Sequence, residues 1–380
     1  MKPFRITAAL LALGLALSGA AAAEPLPAHD LVPVTPNEDS EELCGHDFCY
    51  WQMTEGELDE DIVWEVLMQP LTVLNGGQRE QVKVRARPEK DCKDYVGVVT
   101  CASQGVHVIR EEGDWTLIEA HSSAEEGSKV EVWATRFQGY VETALLKEVP
   151  VDDEYGLVID KLTQRLYVYK EGRLFSTLLC STGFPAEDGS SPFRETPAGE
   201  FAIVSWVGEF VTDSSLYCDK ALRINKGIML HEVPYRVKMD EKTGEEKKDY
   251  SRCEKYLGEK ASHGCVRIQK ELTPERVNAK WLWNNLSRKP VTKVIIWDEL
   301  GRVLGCPDDD YPLYYNPSGG KNYHSSPECA LVRKDLWPLT AFTWGELEEE
   351  PYRGLLPCPA CAPQPRQEGI ERLNEKNTRK

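Results

Sequence analysis

Alternating polar and apolar residues dominate this chain and predict a mainly β protein. Between residues 70 and 149 five short segments show this alternation or a short apolar run, each followed by turn residues. They are residues 81–88, 97–99, 106–110, 115–119 and 139–141. Short strands at regular spacing are typical of a small barrel. We therefore expect residues 70–149 to form a small β-barrel domain.

A second group of strands is predicted between residues 154 and 300. Residues 155–160 and 164–169 alternate and predict a hairpin, and the apolar run 291–297 predicts a final strand. Within residues 271–290 we expect a helix with Thr273 as its N-cap and Pro274 at its first position. This second unit is therefore also predicted to be mostly β, with few helices.

The N-terminus has the pattern of a secretory signal peptide over residues 1–23. Lys2 and Arg5 precede an apolar run, and small residues end at Ala23. The apolar run is too short to span a bilayer, and no second long apolar segment follows. We expect export to an extracytoplasmic location, the periplasm or cell wall, without stable membrane insertion.

The remaining boundaries follow from composition. A chain of 380 residues suggests two or three domains. Residues 24–69 are expected to be a linker and N-terminal extension, because residues 24–43 are acidic and rich in proline. Residues 362–380 are polar and charged and predict a disordered tail.

Charge and cysteine content narrow the classes of function. The formal net charge of -17 argues against nucleic acid as a partner, because nucleic-acid binding requires surfaces rich in lysine and arginine. Twelve cysteines fit an oxidising compartment and predict disulfide bonds. Cys218 and Cys253 flank a charged segment and are one candidate pair.

Residues 262–267, Ser-His-Gly-Cys-Val-Arg, hold the strongest candidate chemistry. Cys265 is the candidate nucleophile. A free thiol has a pKa of about 8.5, so it needs a base to form the thiolate. His231 follows the apolar run 228–230 and is the candidate base, while Gly264 allows the backbone to approach a substrate. The alternative is that Cys265 is a buried or disulfide-bonded structural residue.

Cys265 and His231 in this order, with residues 262–267, resemble the motif of the YkuD-type L,D-transpeptidases, enzymes that remodel peptidoglycan. Residues 181–183 (Ser-Thr-Gly) and 196–201 (Thr-Pro-Ala-Gly-Glu-Phe) are similar to two further landmarks of that family. The short motifs of the N-terminal strands resemble a bacterial Src-homology-3-like domain. The resemblance implies a Src-homology-3-like β-barrel at 70–149, followed by a β-sandwich catalytic domain at 154–300.

The family resemblance also implies a reaction. Cys265 would attack a peptidoglycan tetrapeptide stem, and the acyl-enzyme would pass to an amine of a neighbouring stem, making the protein a transferase that forms cross-links. His231 would be the base and His263 would bind substrate or hold the oxyanion. Ser262, Gly264 and Arg267 are the expected substrate-binding residues, and no cofactor is expected for catalysis.

Alternatives remain open for the activity and for each of these residues. Transfer to water would make the same site an L,D-carboxypeptidase or a cross-link hydrolase. A less favoured alternative is a non-enzymatic protein that binds the cell wall. Each residue also has a purely structural alternative. In that case His263 would only pack against its neighbours, Ser262 would cap a turn, and Arg267 would pair with a carboxylate of the fold. Either the Glu232 side chain or a backbone carbonyl would orient His231.

The chain departs from the family pattern in the gap between His231 and Cys265, which is longer than usual. The extra residues 238–250 are strongly charged and predict an exposed hairpin loop or lid beside the site. This insertion places the donor and acceptor specificity in doubt, but not the nucleophile.

The C-terminal part contains His324-x4-Cys329 and Cys358-x2-Cys361. This spacing fits a tetrahedral zinc site with three cysteines and one histidine, which would be structural because no coordination position is left open. The alternative is a disulfide between two of these cysteines. We expect residues 318–361 to form a separate Cys/His-rich module that is dispensable for chemistry.

Overall fold

The computed structural model describes residues 60–121, 136–184, 194–212, 214–240, 242–299 and 302–377. The predicted signal peptide and residues 24–59 of the predicted linker lie outside these ranges, as do Cys44 and Cys49. Those predictions therefore stay predictions.

Strands make up most of the regular structure, which confirms the mainly β class. The described ranges contain four α-helices: α1 Glu60–Met68, α2 Ser251–Glu254, α3 Ala279–Asn285 and α4 Gln367–Asn377. The strands are β1 Leu71–Leu74, β2 Gln81–Arg85, β3 Tyr95–Thr100, β4 His107–Glu112, β5 Trp115–His121, β6 Arg136–Glu142, β7 Leu146–Val149, β8 Val151–Asp160, β9 Arg165–Lys170, β10 Arg173–Ser181, β11 Gly199–Ala202, β12 Ser205–Val211, β13 Tyr217–Asn225, β14 Ile228–Glu232, β15 Arg236–Met239, β16 Glu246–Asp249, β17 Val266–Ile268, β18 Val291–Trp297, β19 Pro312–Tyr315, β20 Asn322–His324, β21 Thr340–Thr343 and β22 Leu356–Pro357.

A nine-stranded sheet forms the centre of the molecule, in the order β11-β18-β8-β9-β10-β17-β14-β13-β12. Most neighbours are antiparallel, but β18 runs parallel to β8 and β14 runs parallel to β17. The predicted hairpin is β8 and β9, and the predicted final strand is β18. Alternate residues of these strands enter one buried cluster, since successive side chains of a strand point to opposite faces. That core includes Leu157, Ile159, Leu166, Leu178, Leu230, Val266, Val294 and Ile296.

Helix α1 covers part of this sheet and corrects the interpretation of residues 24–69 as linker along their whole length. Val63, Val66 and Leu67 are fully buried against sheet residues such as Tyr169. A Cβ atom at Gly156 would lie 2.7 Å from a Leu67 methyl carbon, so the helix approaches the sheet too closely for a larger residue there. The apolar spacing of residues 63, 66 and 67 is that of an amphipathic helix.

All five strands predicted between residues 70 and 149 are present, as a five-stranded sheet in the order β3-β2-β6-β5-β4. This sheet has its own core, which includes Val84, Val99, Ile118 and Val141. It packs directly on the nine-stranded sheet. The Gly105 N–H donates to the Glu200 carbonyl oxygen at 2.8 Å, and the two carboxylate oxygens of Glu200 contact His107 (3.2 Å) and Lys293 (2.9 Å).

The predicted helix start at Thr273 and Pro274 is wrong, because α3 begins later, with Asn278 as its N-cap. The Asn278 side chain accepts a hydrogen bond from the Trp281 N–H at 3.1 Å. Thr273 instead closes a turn, since its Oγ1 accepts from the Val277 N–H at 3.1 Å. Arg276 in this turn has φ +66°, a left-handed conformation that no helix continues through.

The C-terminal part forms a four-stranded sheet in the order β21-β19-β20-β22. Because β19 belongs to this sheet, the unit begins before the predicted boundary at residue 318. Helix α4 occupies residues that were predicted to be disordered, which corrects that prediction. The Asn374 side chain exchanges hydrogen bonds with the backbone of Leu304, which fastens the helix. Within the described ranges, no helix is both long and apolar enough to cross a membrane.

A buried cluster of charged residues lies at the ends of the central strands. The Lys161 side chain is fully buried, and its Nζ lies 2.9 Å from Glu195 Oε1, 3.1 Å from Glu299 Oε2 and 3.3 Å from Asp298 Oδ2. Lys260 also pairs with Glu299. A buried carboxylate that loses its cation is costly, so this cluster fixes the loop that begins at Glu195.

Replacing Lys161 by methionine is therefore expected to lower the free energy of unfolding by about 3–5 kcal/mol. Denaturant unfolding measures this loss. Lys280→Met is the matched control, because Lys280 is exposed on α3 and its replacement should change the free energy by no more than about 0.5 kcal/mol. Equal stability of the two variants would show that the buried cluster does not hold the fold.

Candidate active site

Two parallel neighbouring strands bring His231 and Cys265 together. β14 pairs with β17 so that Leu230 lies opposite Val266 and His231 lies opposite Arg267. Leu230 and Val266 are fully buried in the core. Because side chains alternate along a strand, residues 231, 265 and 267 face away from that core. The alternation that buries Leu230 therefore places His231 on the same face of the sheet as Cys265, and both line one pocket.

A pocket of about 120 Å³ lies on this face of the sheet. It is lined by five of the six predicted catalytic and substrate-binding residues, namely His231, Ser262, His263, Cys265 and Arg267. The sixth, Gly264, lies in the same loop. His231 and Cys265, which are 34 positions apart in the chain, therefore share one small pocket.

The His231 side chain is buried, and its protonation state follows from its surroundings. Its Nδ1 lies 2.7 Å from the backbone carbonyl oxygen of Glu232, so Nδ1 carries the proton and donates it to that oxygen. Burial is the main cause that lowers the His231 pKa to about 4, and the charge of Arg267 lowers it further. The imidazole is therefore neutral at neutral pH, with Nε2 as a proton acceptor.

The Glu232 side chain takes a different role from its backbone. Its Oε1 accepts a hydrogen bond from the Tyr250 hydroxyl at 2.7 Å. Of the two alternatives for orienting His231, the structure has the backbone carbonyl. A neutral histidine held in one tautomer is the arrangement that general-base catalysis requires.

The Cys265 side chain is half-buried, and its Sγ lies 3.8 Å from the carbonyl oxygen of Gly227. Burial raises the pKa of the thiol above its ordinary value, while the backbone of Met229 and the charges of Arg267 and Arg223 oppose this rise. The resting cysteine is therefore a thiol at neutral pH, and a base is needed to make the thiolate.

The loop before the cysteine is held by its own residues. Ser262 Oγ accepts from the Gly264 N–H at 3.1 Å and donates to the Cys265 carbonyl oxygen. Gly264 has φ +110°, a conformation that residues with a Cβ rarely adopt. Ser262 thus closes a tight turn that only glycine at position 264 fits, and this turn presents the sulfur to the pocket.

Sequence reasoning missed Thr196 as a site residue, although it lies in one of the family landmarks. Its fully buried side chain links two loops, because Oγ1 accepts from the Gly183 N–H at 2.8 Å and donates to the Gly264 carbonyl oxygen at 2.8 Å. A Cβ atom at Gly183 would lie only 2.1 Å from the Arg194 carbonyl oxygen. Thr196 and Gly183, one from each family landmark, are therefore connected to the loop that carries Cys265.

Replacement of Thr196 by valine is expected to lower the free energy of unfolding by about 1–3 kcal/mol, since it leaves a buried N–H and a buried carbonyl without a partner. The turnover number should fall as well, because Gly264 is no longer fixed. Thr196→Ser keeps the hydroxyl and serves as the matched control. Parallel denaturant unfolding and turnover assays check both effects. A valine variant equal to the serine variant in both assays would contradict the assigned role.

His263 and Arg267 line the pocket and are both more exposed than His231. His263 is exposed, and its ring centroid lies 6.2 Å from that of Phe184. Partial burial, together with the positive charges of Arg194 and Arg267, lowers the pKa of His263 below its ordinary value. Both residues are therefore accessible from the pocket that contains Cys265.

Phe210 and Cys218 are among the pocket residues that were not predicted as site residues. The Phe210 ring meets the His231 ring edge to face, with centroids 5.4 Å apart at 90°. The Cys218 thiol lines the same pocket. None of the ten cysteines within the described ranges is in a disulfide, so the suggested Cys218–Cys253 pairing is corrected for these residues. Both side chains are buried as thiols.

The insertion between His231 and Cys265 forms a hairpin, as its charge pattern predicts. β15 pairs antiparallel with β16, and most of their residues are exposed. Residue 241 in its turn lies outside the described residues. The base of the hairpin is fastened by Tyr250, through Glu232, and by a stacked pair of rings, Tyr217 and Tyr235, with centroids 5.6 Å apart. The two ends of the insertion therefore lie close to His231, the candidate base.

The predicted metal ligands His324, Cys329, Cys358 and Cys361 do come together, but away from this pocket, whose lining includes none of them. All four side chains are buried. The sequence therefore contains two distinct cysteine-histidine groups, and the fold keeps them in separate places.

The low pKa of His231 has a consequence for stability. Its folded value of about 4 lies below the ordinary 6.5, so the unfolded chain binds the proton more readily. The free energy of unfolding should fall as the pH drops from about 6.5 to about 4, by about 3 kcal/mol from this group. Denaturant unfolding across that range measures the slope, and His231→Asn should remove this part of it. An unchanged slope in the variant would contradict the assignment.

Comparison with known protein families supports the sequence resemblance for one part of the chain. Residues 154–296 match the family model of the L,D-transpeptidase catalytic domain, YkuD. This match confirms the expected resemblance for the catalytic domain. A search of curated proteins found no match.

Several solved structures are similar to this chain. A fused Zn-dependent amidase/peptidase/peptidoglycan-binding domain-containing protein from Clostridium acetobutylicum is 22% identical, over 40% of this chain and 55% of that chain, with a TM-score of 0.25. An L,D-transpeptidase from Xylanimonas cellulosilytica is 19% identical, over 40% of this chain and 66% of that chain, with a TM-score of 0.26. An L,D-transpeptidase from Stackebrandtia nassauensis is 17% identical, over 39% of this chain and 58% of that chain, with a TM-score of 0.26. This chain thus covers less than two thirds of each.

Proposed function

We propose that this protein is an L,D-transpeptidase that forms peptidoglycan cross-links through an acyl-enzyme on Cys265. The observation that carries the proposal is the pocket in which the Cys265 thiol lies with a neutral, tautomer-fixed His231. The family match over residues 154–296 supports the substrate class, which is the stem peptide of peptidoglycan.

The chemistry proposed for Cys265 follows from these groups. Nε2 of His231 takes the thiol proton as the sulfur attacks the carbonyl carbon of the third stem residue, and returns it to the departing D-Ala amine. An amine of a second stem then attacks the thioester, loses a proton to His231 and releases the sulfur. Neither half needs a metal, because the thiolate and the imidazole supply the nucleophile and the proton transfers.

The developing oxyanion needs hydrogen-bond donors. The Gly264 N–H already donates to Ser262 Oγ, so we assign this role to the Cys265 N–H and the His263 imidazole. One such donor typically contributes about 3–4 kcal/mol to the transition state. Arg267, which lines the pocket, is assigned to a substrate carboxylate, because its guanidinium binds carboxylates in a bidentate manner.

The test is incubation of the mature protein with tetrapeptide stems, followed by mass spectrometry of the products. A cross-linked dimer with loss of one D-Ala supports the transpeptidase. Tripeptide without dimer, even with a large excess of acceptor amine, would replace it by an L,D-carboxypeptidase that uses the same acyl-enzyme. No product from either reaction, in a protein whose Cys265 reacts with thiol reagents, would favour a wall-binding protein without activity.

The proposal extends to the N-terminal part of the chain. The signal-like residues 1–23 support export to the periplasm or cell wall, and N-terminal sequencing of the exported protein should begin after Ala23. The five-stranded sheet of residues 81–142 has the strand number of a Src-homology-3-like domain, and we assign it a role in holding the enzyme on the wall. Retention of the Cys265→Ala full chain on isolated peptidoglycan tests that role, and passage of the chain unbound would contradict it.

A further inference from the structure

We propose that His324, Cys329, Cys358 and Cys361 bind one structural zinc ion, and that this site braces the strand that follows the candidate nucleophile. The four ligand atoms all lie within 4.8 Å of one another. All four side chains are buried, with exposed fractions of 6% or less. This inference is independent of the proposed activity, because it rests on a second group of residues.

The distances within the group match a tetrahedral ion. Zinc bonds of about 2.3 Å to sulfur and 2.0 Å to nitrogen place two sulfurs about 3.8 Å apart and a sulfur about 3.5 Å from a nitrogen. The structure has 3.6 Å between the Cys329 and Cys358 sulfurs and 3.6 Å between Cys361 Sγ and His324 Nδ1. A disulfide requires about 2.05 Å between its sulfurs. The packing of thiols alone does not require four ligand atoms to converge on one point.

The fold brings the ligands together by pairing two short strands. β20 ends at His324 and β22 leads directly into Cys358, and the two strands run parallel with Tyr323 opposite Pro357. The Cys358 N–H donates to the Tyr323 carbonyl oxygen at 3.0 Å. The histidine and the first cysteine of the C-x2-C pair are therefore placed side by side by backbone hydrogen bonds.

Hydrogen bonds around the ligands are those that a thiolate site needs. The Ser325 N–H donates to Cys361 Sγ at 3.4 Å, and the Ser325 hydroxyl donates to the Cys361 carbonyl oxygen at 2.6 Å. The Ala362 N–H closes the Cys358–Cys361 turn by donating to the Cys358 carbonyl oxygen at 3.0 Å. The Ser325 N–H stabilises negative charge on the Cys361 sulfur, and the other two contacts hold the turn that carries the ligands.

The turn between Cys358 and Cys361 contacts the nine-stranded sheet through the buried side chain of Gln269. Gln269 Nε2 donates to the carbonyl oxygen of Ala360 at 3.0 Å. Gln269 directly follows β17, the strand that begins after Cys265, and its Oε1 accepts from the Leu179 N–H on β10. A zinc ion that fixes this turn therefore also fixes the end of β17. On this basis the C-terminal unit supports the catalytic sheet, although residues 318–361 were expected to be dispensable.

The first experiment measures metal in the purified full chain. Elemental analysis should give about one zinc per chain, and replacement by cobalt should give the visible spectrum of a tetrahedral thiolate site. Cys358→Ser should lose the metal, whereas the matched control Cys306→Ser, at an exposed cysteine, should keep it. Iron in place of zinc, or no metal together with a mass two hydrogens lower from a disulfide, would overturn the proposal.

A ligand-conserving variant keeps the test sharp if Cys358→Ser fails to fold. His324→Cys retains four tetrahedral ligands and should keep one metal per chain, with stronger thiolate absorption in the cobalt form. His324→Leu removes one ligand and should bind metal at least ten times more weakly. Equal metal content and equal affinity in the leucine variant and the unmodified protein would show that His324 is not a ligand. That result would overturn the proposed four-ligand site.

Hydrogen exchange tests the brace. Removal of zinc with a chelator should speed amide exchange at residues 266–269 as well as in the Cys358–Cys361 turn, while β2 to β6 remain protected. The same acceleration at residues 266–269 should appear in Gln269→Ala with zinc still bound. Unchanged exchange at residues 266–269 after loss of the metal would overturn the connection between the zinc site and β17.

Discussion

Cys265→Ala is expected to abolish acyl transfer, with the turnover number falling by about 10⁶-fold, because removal of a nucleophile disables the whole catalytic unit. The Cys265 thiol lies in the pocket, on the turn that the hydrogen bonds of Ser262 close. Product formation from tetrapeptide stems measures the loss. Intact mass of the unmodified protein during turnover should show one acyl group, located on the peptide that contains Cys265.

Cys218→Ala is the matched control, because the Cys218 thiol lines the same pocket. It should leave the acyl-enzyme at Cys265 in place. Both variants should remain folded, since each loses only the contacts of one sulfur, such as that between Cys265 Sγ and the Gly227 carbonyl oxygen, and the hydrogen bonds between the strands stay in place. Transfer by the Cys265→Ala protein, or an acyl group found on Cys218 instead, would contradict the proposed mechanism.

His231→Asn is expected to lower turnover by about 10²–10⁴-fold at neutral pH, the usual contribution of a general base. Asparagine can still donate a hydrogen bond to the Glu232 carbonyl oxygen, but it has no Nε2 to accept a proton. The variant therefore separates proton transfer from the local hydrogen bond. Activity and thermal unfolding measured together check that the loss is chemical and not structural.

The pH dependence gives a second signature of the base. The pKa of His231 is lowered to about 4, and that of Cys265 is raised above its ordinary value, both mainly by burial. In the unmodified protein, kcat/KM should fall only as the pH drops through about 4, where the imidazole gains a proton. In His231→Asn it should rise steadily with pH, because only the spontaneous thiolate reacts, and the deficit should shrink at alkaline pH. Parallel profiles for the two proteins would contradict the role of His231 as base.

The sequence determined the parts of this protein that depend on local pattern. Period-two alternation or a short apolar run located all five strands of the N-terminal sheet as well as β8, β9 and β18. A strand buried on one face is apolar at every second residue, and a strand buried on both faces is apolar throughout. The serine, glycine and cysteine of residues 262–265 form a turn that those residue types specify on their own. The hairpin insertion was likewise evident from its charges.

Other features required the tertiary structure. The helix predicted from Thr273 begins instead at Ala279, with Asn278 as its N-cap. Thr273 forms hydrogen bonds with Ser176, which is distant in the chain, and with the Val277 N–H. No sequence rule favours those partners over a helix cap. Thr196 reaches Gly264 across 68 residues, and α1 packs on strands about 100 to 230 residues away. Local preferences do not encode such contacts.

The chemistry of the site divides in the same way. The sequence and its family resemblance named Cys265 and His231 as the candidate nucleophile and base, because these roles require particular residue types. Only the fold decided that His231 is neutral, since its pKa depends on burial and on the position of the Glu232 carbonyl. Only the fold placed the Cys358–Cys361 turn against Gln269, since that contact joins residues 91 positions apart through a buried hydrogen bond.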